Sequence, residues 1–264
     1  MRAIVAVAAL VAAAVVAGVV YGTRQDPAQP TSGCKDGVPA GIYPGVRPTN
    51  VAAVQKALAL GAKRAARALE PLADEQPNDP VVQFNYGTAL SCAGFDAEAV
   101  QAFRKAKKAG RDSRYQVVAD NLLHPQYFTS GYPLFQYGGR DPALIEGMVA
   151  QRNFHQETAE RIWAAAARLR PNDADAQVAA AVGRFDMDDL NASFSRLGPL
   201  VRRFPTSQTV RFHLGLLLAW TGQRDLAVKE FRAARAFGAA TTLGVEADAF
   251  LTRLGTSGTK SSKR

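Results

Sequence analysis

Two stretches of this 264-residue chain align without a gap: FNYGTALSCAGFDAEAVQAFRKAKKAG, starting at Phe84, and FHLGLLLAWTGQRDLAVKEFRAARAFG, starting at Phe212. Gly87 falls on Gly215, Gly94 on Gly222, Ala99 on Ala227, Phe103 on Phe231 and Ala106 on Ala234. A third stretch, QETAERIWAAAARLRP, places Ala159, Trp163, Ala166 and Pro171 at the same offsets from Gly147. Pro171 and Pro205 stand 34 residues apart, and Pro77 holds the same phase. Stepping back by 34 takes Gly215 to Ala181 and then to Gly147, and Gly87 to Ala53. Even LEPLADEQP (from Leu69) and LGPLVRRFP (from Leu197) share their spacing. Self-similarity at a fixed period of this length is the signature of a stacked helical repeat, in which each unit buries its apolar face only against its neighbours.

The kept residues are those that helix packing needs. Axes about 8–10 Å apart leave no room for a large side chain where the backbones come closest. Gly87 and Ala99 make that approach possible, with Tyr86, Leu90 and Phe103 filling the space beside it. Gly94 suits a tight turn, and Asp96 is placed to cap the second helix. In this pattern the chain resembles the tetratricopeptide repeat family, which implies an all-α, right-handed superhelix of about five helix hairpins. The units start near Val46, Pro80, Arg140, Ala174 and Gln208 within a repeat domain at 49–254, closed by a capping helix at 243–254. Gly87 and Gly147 are 60 apart, so about 26 residues are inserted, within roughly 111–139.

The N-terminal MRAIVAVAALVAAAVVAGVVYGT carries Arg2 and then no charge before Arg24. As a helix its uncharged run would span about 31 Å, close to the hydrocarbon thickness of a bilayer. Its alanine content leaves two readings for residues 1–23, a transmembrane signal anchor or a cleaved signal peptide. Arg2 precedes the apolar run while Arg24 is offset by Asp26, so both readings place the remaining chain outside the cytoplasm. Residues 24–48 form a Pro/Gly-rich linker, and the basic tail at 255–264 is expected to be disordered. The net charge of +9 is spread along the chain apart from RKAKK at 104–108 and the terminal KSSKR. No nucleic-acid reading motif accompanies these runs, so they are expected to be a solvated helix face and a solubilising tail.

Groups for catalysis do not converge. His124, His155 and His213 are the only histidines, and none has metal-ligand spacing with another. DMDDLN at 186–191 lacks the central glycine and distal glutamate of a calcium loop, and Asp188 or Asp189 there is expected to cap a helix. No enzyme activity, cofactor or metal is expected. The two cysteines, Cys34 and Cys92, invite a disulfide in an exported chain; the alternative is a buried Cys92 and a free Cys34.

The resemblance implies a groove lined by the first helix of each hairpin. Its positions fall on Phe84, Thr88, Ser91 and Cys92, then Leu144, Met148, Gln151 and Arg152. They continue through Val178, Val182, Phe185 and Asp186 to Phe212, Leu216, Ala219 and Trp220. The family's lysine/asparagine clamp for acidic chaperone tails is absent. A mostly apolar groove needs an occupant, and the insert offers one in Tyr127, Phe128, Tyr132, Phe135 and Tyr137, as self-packing or as a partner-binding lip. The expected function is a membrane-anchored extracytoplasmic scaffold for a protein or peptide partner in a cell-envelope assembly. The alternative is a carrier of a hydrophobic or envelope-polymer ligand in the groove.

Export gives a direct test. A reporter enzyme active only outside the cytoplasm, fused after Arg264, should be active, and a cytoplasm-only reporter at the same place should be silent. The mass of the mature N-terminus separates anchor from cleaved signal peptide.

Overall fold

The computed structural model describes residues 34, 37–44, 49–125 and 133–255. The segment at 1–23, on which the anchor reading rests, lies outside these, as do Tyr127, Phe128, Tyr132 and the tail beyond Gly255. Among the described residues no helix is long and apolar enough to cross a membrane.

The described chain is all-α. Five hairpins follow one another: α1 (Val51–Leu58) with α2 (Ala62–Glu75), and α3 (Pro80–Ala93) with α4 (Asp96–Ala109); after an extra helix α5 (Arg114–Leu123) come α6 (Pro142–Arg152) with α7 (Gln156–Leu169). The fourth joins α8 (Ala174–Gly183) to a divided second helix, α9 (Leu190–Leu197) and α10 (Leu200–Arg203). The fifth pairs α11 (Gln208–Trp220) with α12 (Arg224–Phe237), and α13 (Thr242–Arg253) closes the stack against α12.

The crossings account for the repeat. A Cβ on Gly87 would lie 2.9 Å from the Phe103 ring, and one on Gly215 would lie 2.9 Å from the Phe231 ring. At Gly147 it would overlap the Trp163 indole, whose Nε1 donates to the Leu144 carbonyl across the same crossing. Ala99, Ala159 and Ala227, the small residues of the facing helices, are buried. Gly94 and Gly222 close their hairpins with φ of 84° and 78°, a conformation that a side chain disfavours.

Starts of helices are set by short polar side chains. Asp79 accepts from the Val81 and Val82 amides ahead of Pro80, and Asp141 from Leu144 ahead of Pro142. Asp173, Asp189, Ser207 and Thr241 cap α8, α9, α11 and α13 in the same way. Asp189 is thus the cap expected within DMDDLN. Asp96 is not a cap: Phe95 holds that position, and Asp96 lies in the first turn, where its charge meets the positive end of the helix dipole.

Two local expectations are corrected and one element is added. Ala53, which the period assigns to a crossing, is exposed, and the short α1 packs instead through Val54, Ala57 and Leu58. The insert begins with a helix the repeat phase does not mark, α5, which buries Tyr115 and Ala119 against the first two hairpins. LEPLADEQP and LGPLVRRFP diverge in structure: α2 runs through Pro71, whereas Gly198 beside Pro199 ends α9 and forces a new start. Glycine and proline each disfavour a helix interior, and together they stop it.

Packing at the crossings, rather than sequence phase, should decide stability. Gly147→Ala and Ala99→Leu should each cost about 1–3 kcal/mol by overpacking, whereas Ala53→Leu should stay within about 0.5 kcal/mol as a surface change. Thermal unfolding midpoints of the three variants check this.

Candidate functional site

The first helices α3, α6, α8 and α11 build the inner face, and two extended segments of the chain itself lie on it. Residues 37–44 cross α3. Asn85 brackets Gly41 there: Oδ1 accepts the Gly41 N–H at 2.7 Å, and Nδ2 donates to the Gly41 carbonyl at 2.9 Å. The Tyr115 hydroxyl donates to the same carbonyl at 3.1 Å and accepts the Tyr43 N–H at 3.0 Å. A side chain at Gly41 would collide with the Phe84 ring. Cys34 and Cys92 form a disulfide across 58 residues of sequence, tying this segment to the end of α3. Closing a loop of that length stabilises a fold by up to about 4 kcal/mol.

The second segment, 133–138, crosses α6 and α11. Gln151 repeats what Asn85 does: Oε1 accepts the Phe135 N–H at 2.8 Å, and Nε2 donates to the Pro133 carbonyl at 3.3 Å. The Gln136 N–H donates to His213 Nε2 at 2.9 Å, and Arg152 Nη2 donates to Gln136 Oε1 at 3.3 Å. Phe135 is fully buried, its ring 5.0 Å from that of His213 and 5.1 Å from that of Trp163. His213 Nδ1 lies 2.7 Å from the Thr209 carbonyl and must donate to it, which leaves Nε2 as the acceptor for Gln136. That arrangement requires a neutral ring. Burial pushes its pKa down to about 4, against a small opposing effect of the Thr209 hydrogen bond.

Of the occupants such an apolar groove can take, the described residues show the chain itself. Phe84, Leu144, Val178, Phe185, Phe212 and Trp220 are at most 8% exposed. Phe84 packs with Tyr43, Phe103 and Tyr115, beneath the 37–44 segment. Leu144 shares a core with Phe135, Phe185 packs edge-on to Trp220, and Phe212 meets Phe231 and Phe250. Burying such side chains is worth about 1.5–3 kcal/mol each, so the chain covers them itself. Thr88, Met148, Arg152 and Leu216 remain half-buried. Of the aromatic insert, Phe135 and Tyr137 are described, stacked on each other and folded inward.

Asn85 and His213 carry much of this geometry without standing out in sequence. A polar residue on an otherwise apolar first helix was the available signal, but its partner, an irregular segment tens of residues away, has no period to betray it.

One further cluster has ligand-bearing groups. Asp120, His124 and Asp188 bring one donor atom each within 4.8 Å of one another. The Lys107 ammonium already lies 2.7 Å from both carboxylates, where a cation would sit. Burial works against that charge, but the hydrogen bonds to Asp120 and Asp188 outweigh it and hold the pKa above the usual lysine value; the Lys107 bond holds Asp188 below the usual carboxylate range. The cluster is an internal ion pair network.

Hairpins on a 34-residue period with a glycine at the crossing define a tetratricopeptide-like helical repeat. No family model and no curated protein matches the chain. Among solved structures it is similar to YrrB, described as a TPR protein with an unusual peptide-binding site, at 15% identity over 75% of this chain and 87% of that one, with a TM-score of 0.32. It is also similar to two forms of MamA. One is the RS-1 ArsTM double mutant (19% identity, 70% and 89% covered, TM-score 0.29). The other is MamA from residue 41 to its end, from Desulfovibrio magneticus RS-1 (21% identity, 70% and 90% covered, TM-score 0.29). Superpositions this loose add nothing to the hairpin geometry above.

The buried His213 makes stability depend on pH with a defined sign. Its folded pKa of about 4 lies below the unfolded value of 6.5, so its contribution is complete above pH 6.5 and is lost as pH falls through about 4. The shift corresponds to about 3 kcal/mol. Urea unfolding at neutral pH and near pH 4 should show wild type losing about this much more than His213→Gln, whose carboxamide can still accept from Gln136 but does not titrate.

Proposed function

We propose that the chain is an exported, non-catalytic scaffold of the cell envelope, anchored by its N-terminal segment or released after cleavage, that holds an extended segment of a partner protein on its inner face. The observation that carries this proposal is that this face already holds extended polypeptide, the chain's own, through paired carboxamides, with Thr88, Met148, Arg152 and Leu216 left half-buried beside it for a further strand. Asn85 and Gln151 each satisfy both the N–H and the C=O of an extended backbone. Backbone hydrogen bonding of this kind supplies affinity for an extended polypeptide without demanding a particular side-chain sequence. The Cys34–Cys92 disulfide supports export, because such bonds persist in oxidising compartments. The apolar positions needed by a hydrophobic-ligand carrier are covered by the chain itself, so that alternative is not carried further.

Thr88, Met148, Arg152 and Leu216, half-buried beside the two bound segments, are the proposed contacts. Burial holds the Arg152 pKa below the usual arginine value, with Glu246 acting the other way. A charge so placed contributes to binding where the partner brings a carboxylate or carbonyl to pair with it. Arg152→Glu with Leu216→Ala should reduce recovery of cross-linked partner from envelope membranes about tenfold or more, with circular dichroism unchanged. Unchanged recovery by the folded double variant would remove the inner face as the binding surface.

A further inference from the structure

The break in the repeat creates a second surface. The first two hairpins and α5 share one hydrophobic core, which includes Val54, Phe103 and Tyr115, while hairpins three to five are built around Trp163, Val210 and Phe231. Among the described residues, the hydrogen bonds and ion pairs that join these two blocks form a polar seam. Asp112 accepts from the Thr158 amide and hydroxyl at 3.0 and 2.6 Å, Arg111 pairs with Glu157 at 2.6 Å, and Lys107 and His124 both reach Asp188. Beside this seam lies a cleft of about 460 Å³ whose wall carries Arg104, Lys107, Lys108 and Arg111, with Val100 and Leu123 at its apolar edge.

The charges in the cleft are unequal in what they already hold. Lys107 and Arg111 are engaged across the seam. Arg104 and Lys108 line the same cleft, are exposed, and have no ion-pair partner among the described residues. They stand four residues apart on α4, one helical turn, so their side chains project from one face about 6 Å apart along the axis. An extended strand places alternate side chains on one side at about 6.6 Å. The two spacings match.

We propose that this cleft binds an acidic segment of a partner protein, extended, with carboxylates at alternate positions meeting Arg104 and Lys108. The site lies on a second helix at the seam, apart from the inner face, and deepens the scaffold reading, on which it rests, by giving the partner a chemistry. Glu157 and Asp188 on the cleft wall are held by Arg111 and Lys107, so Arg104 and Lys108 are the cations that an entering acidic segment meets. Lys107 and Arg111 could in turn exchange Asp188 and Glu157 for a bound carboxylate, so occupancy would loosen the seam.

The test is fluorescence anisotropy of a labelled peptide alternating glutamate and serine, with purified full-length protein in non-ionic detergent. The acidic peptide should bind, its lysine/serine counterpart should not, and affinity should fall as salt is raised. Arg104→Glu with Lys108→Glu, both exposed and outside the core, should weaken binding about tenfold or more with helicity unchanged. Absence of binding at low salt, or binding indifferent to the charge reversal, would overturn the proposal. So would displacement of the peptide by inorganic phosphate at matched charge, or a preference for phosphatidylglycerol vesicles, which would assign the cations to a generic anion or a lipid surface. Failure here is separable from failure of the scaffold reading: Arg152→Glu with Leu216→Ala addresses the inner face and leaves this cleft intact.

Discussion

Close approach of two helix backbones is the constraint from which the rest of this molecule follows. At Gly87, Gly147 and Gly215 there is no space for even a methyl group, because Phe103, Trp163 and Phe231 lie directly over the missing side chain. The aromatic ring fills what the glycine vacates, and the facing alanine lets the partner helix come in. These three hairpins are thus closed tightly at their crossings, and their remaining apolar residues are aimed at the next hairpin. Stacking is then imposed, since a single hairpin leaves one side uncovered.

Polar groups complete what the crossings begin. The ends of helices carry carbonyls with no partner in their own helix, and long amides reach back to them. Gln83 donates to the Ala73 and Gln76 carbonyls at the end of α2, Gln177 to those of Ala167 and Arg170 after α7, and Gln208 to those of Ala234 and Gly238 after α12. Gln83 and Gln177 each stand four residues after a capping aspartate, so one short stretch starts its own helix and seals the end of the preceding one. The same amide chemistry, turned toward irregular chain by Asn85 and Gln151, fastens the two extended segments. Hydrogen-bonding carboxamides thus do both the stacking and the lining of this repeat.

The hairpins were legible in sequence because their requirements are local and periodic: glycine, alanine and an aromatic at fixed offsets. Where periodicity weakens, so did legibility. Ala53 kept the phase but lost the packing, since α1 has only eight residues and turns a different face inward. α5 carries a helical pattern in Tyr115, Ala119 and Leu122 but stands out of register with the 34-residue step, and therefore reads as part of an insert. The candidate site was the least legible part. The resemblance marked the inner-face positions, yet whether Phe84 or Phe212 faces solvent depends on where residues 37–44, 133–138 and α13 come to rest. That outcome is set by hydrogen bonds and ring contacts between residues far apart in sequence. Gln151 was placed on the inner face from sequence, but its role as a backbone clamp required knowing what lay against it.

The polar seam at Asp112, Arg111 and Lys107 gives the molecule a mechanical character that a continuous repeat stack would lack. Within each block, side chains interlock and deformation has to strain a packed interior. Between the blocks, the described contacts are the Asp112–Thr158 hydrogen bonds, ion pairs and Arg114, whose guanidinium lies 4.6 Å from the Tyr43 ring and 5.0 Å from that of Phe154. Two stiff springs joined in series by a soft one concentrate nearly all bending at the soft element. A load passing between the two blocks would fall on these polar contacts, and their ion pairs weaken as ionic strength rises and the charges there are screened.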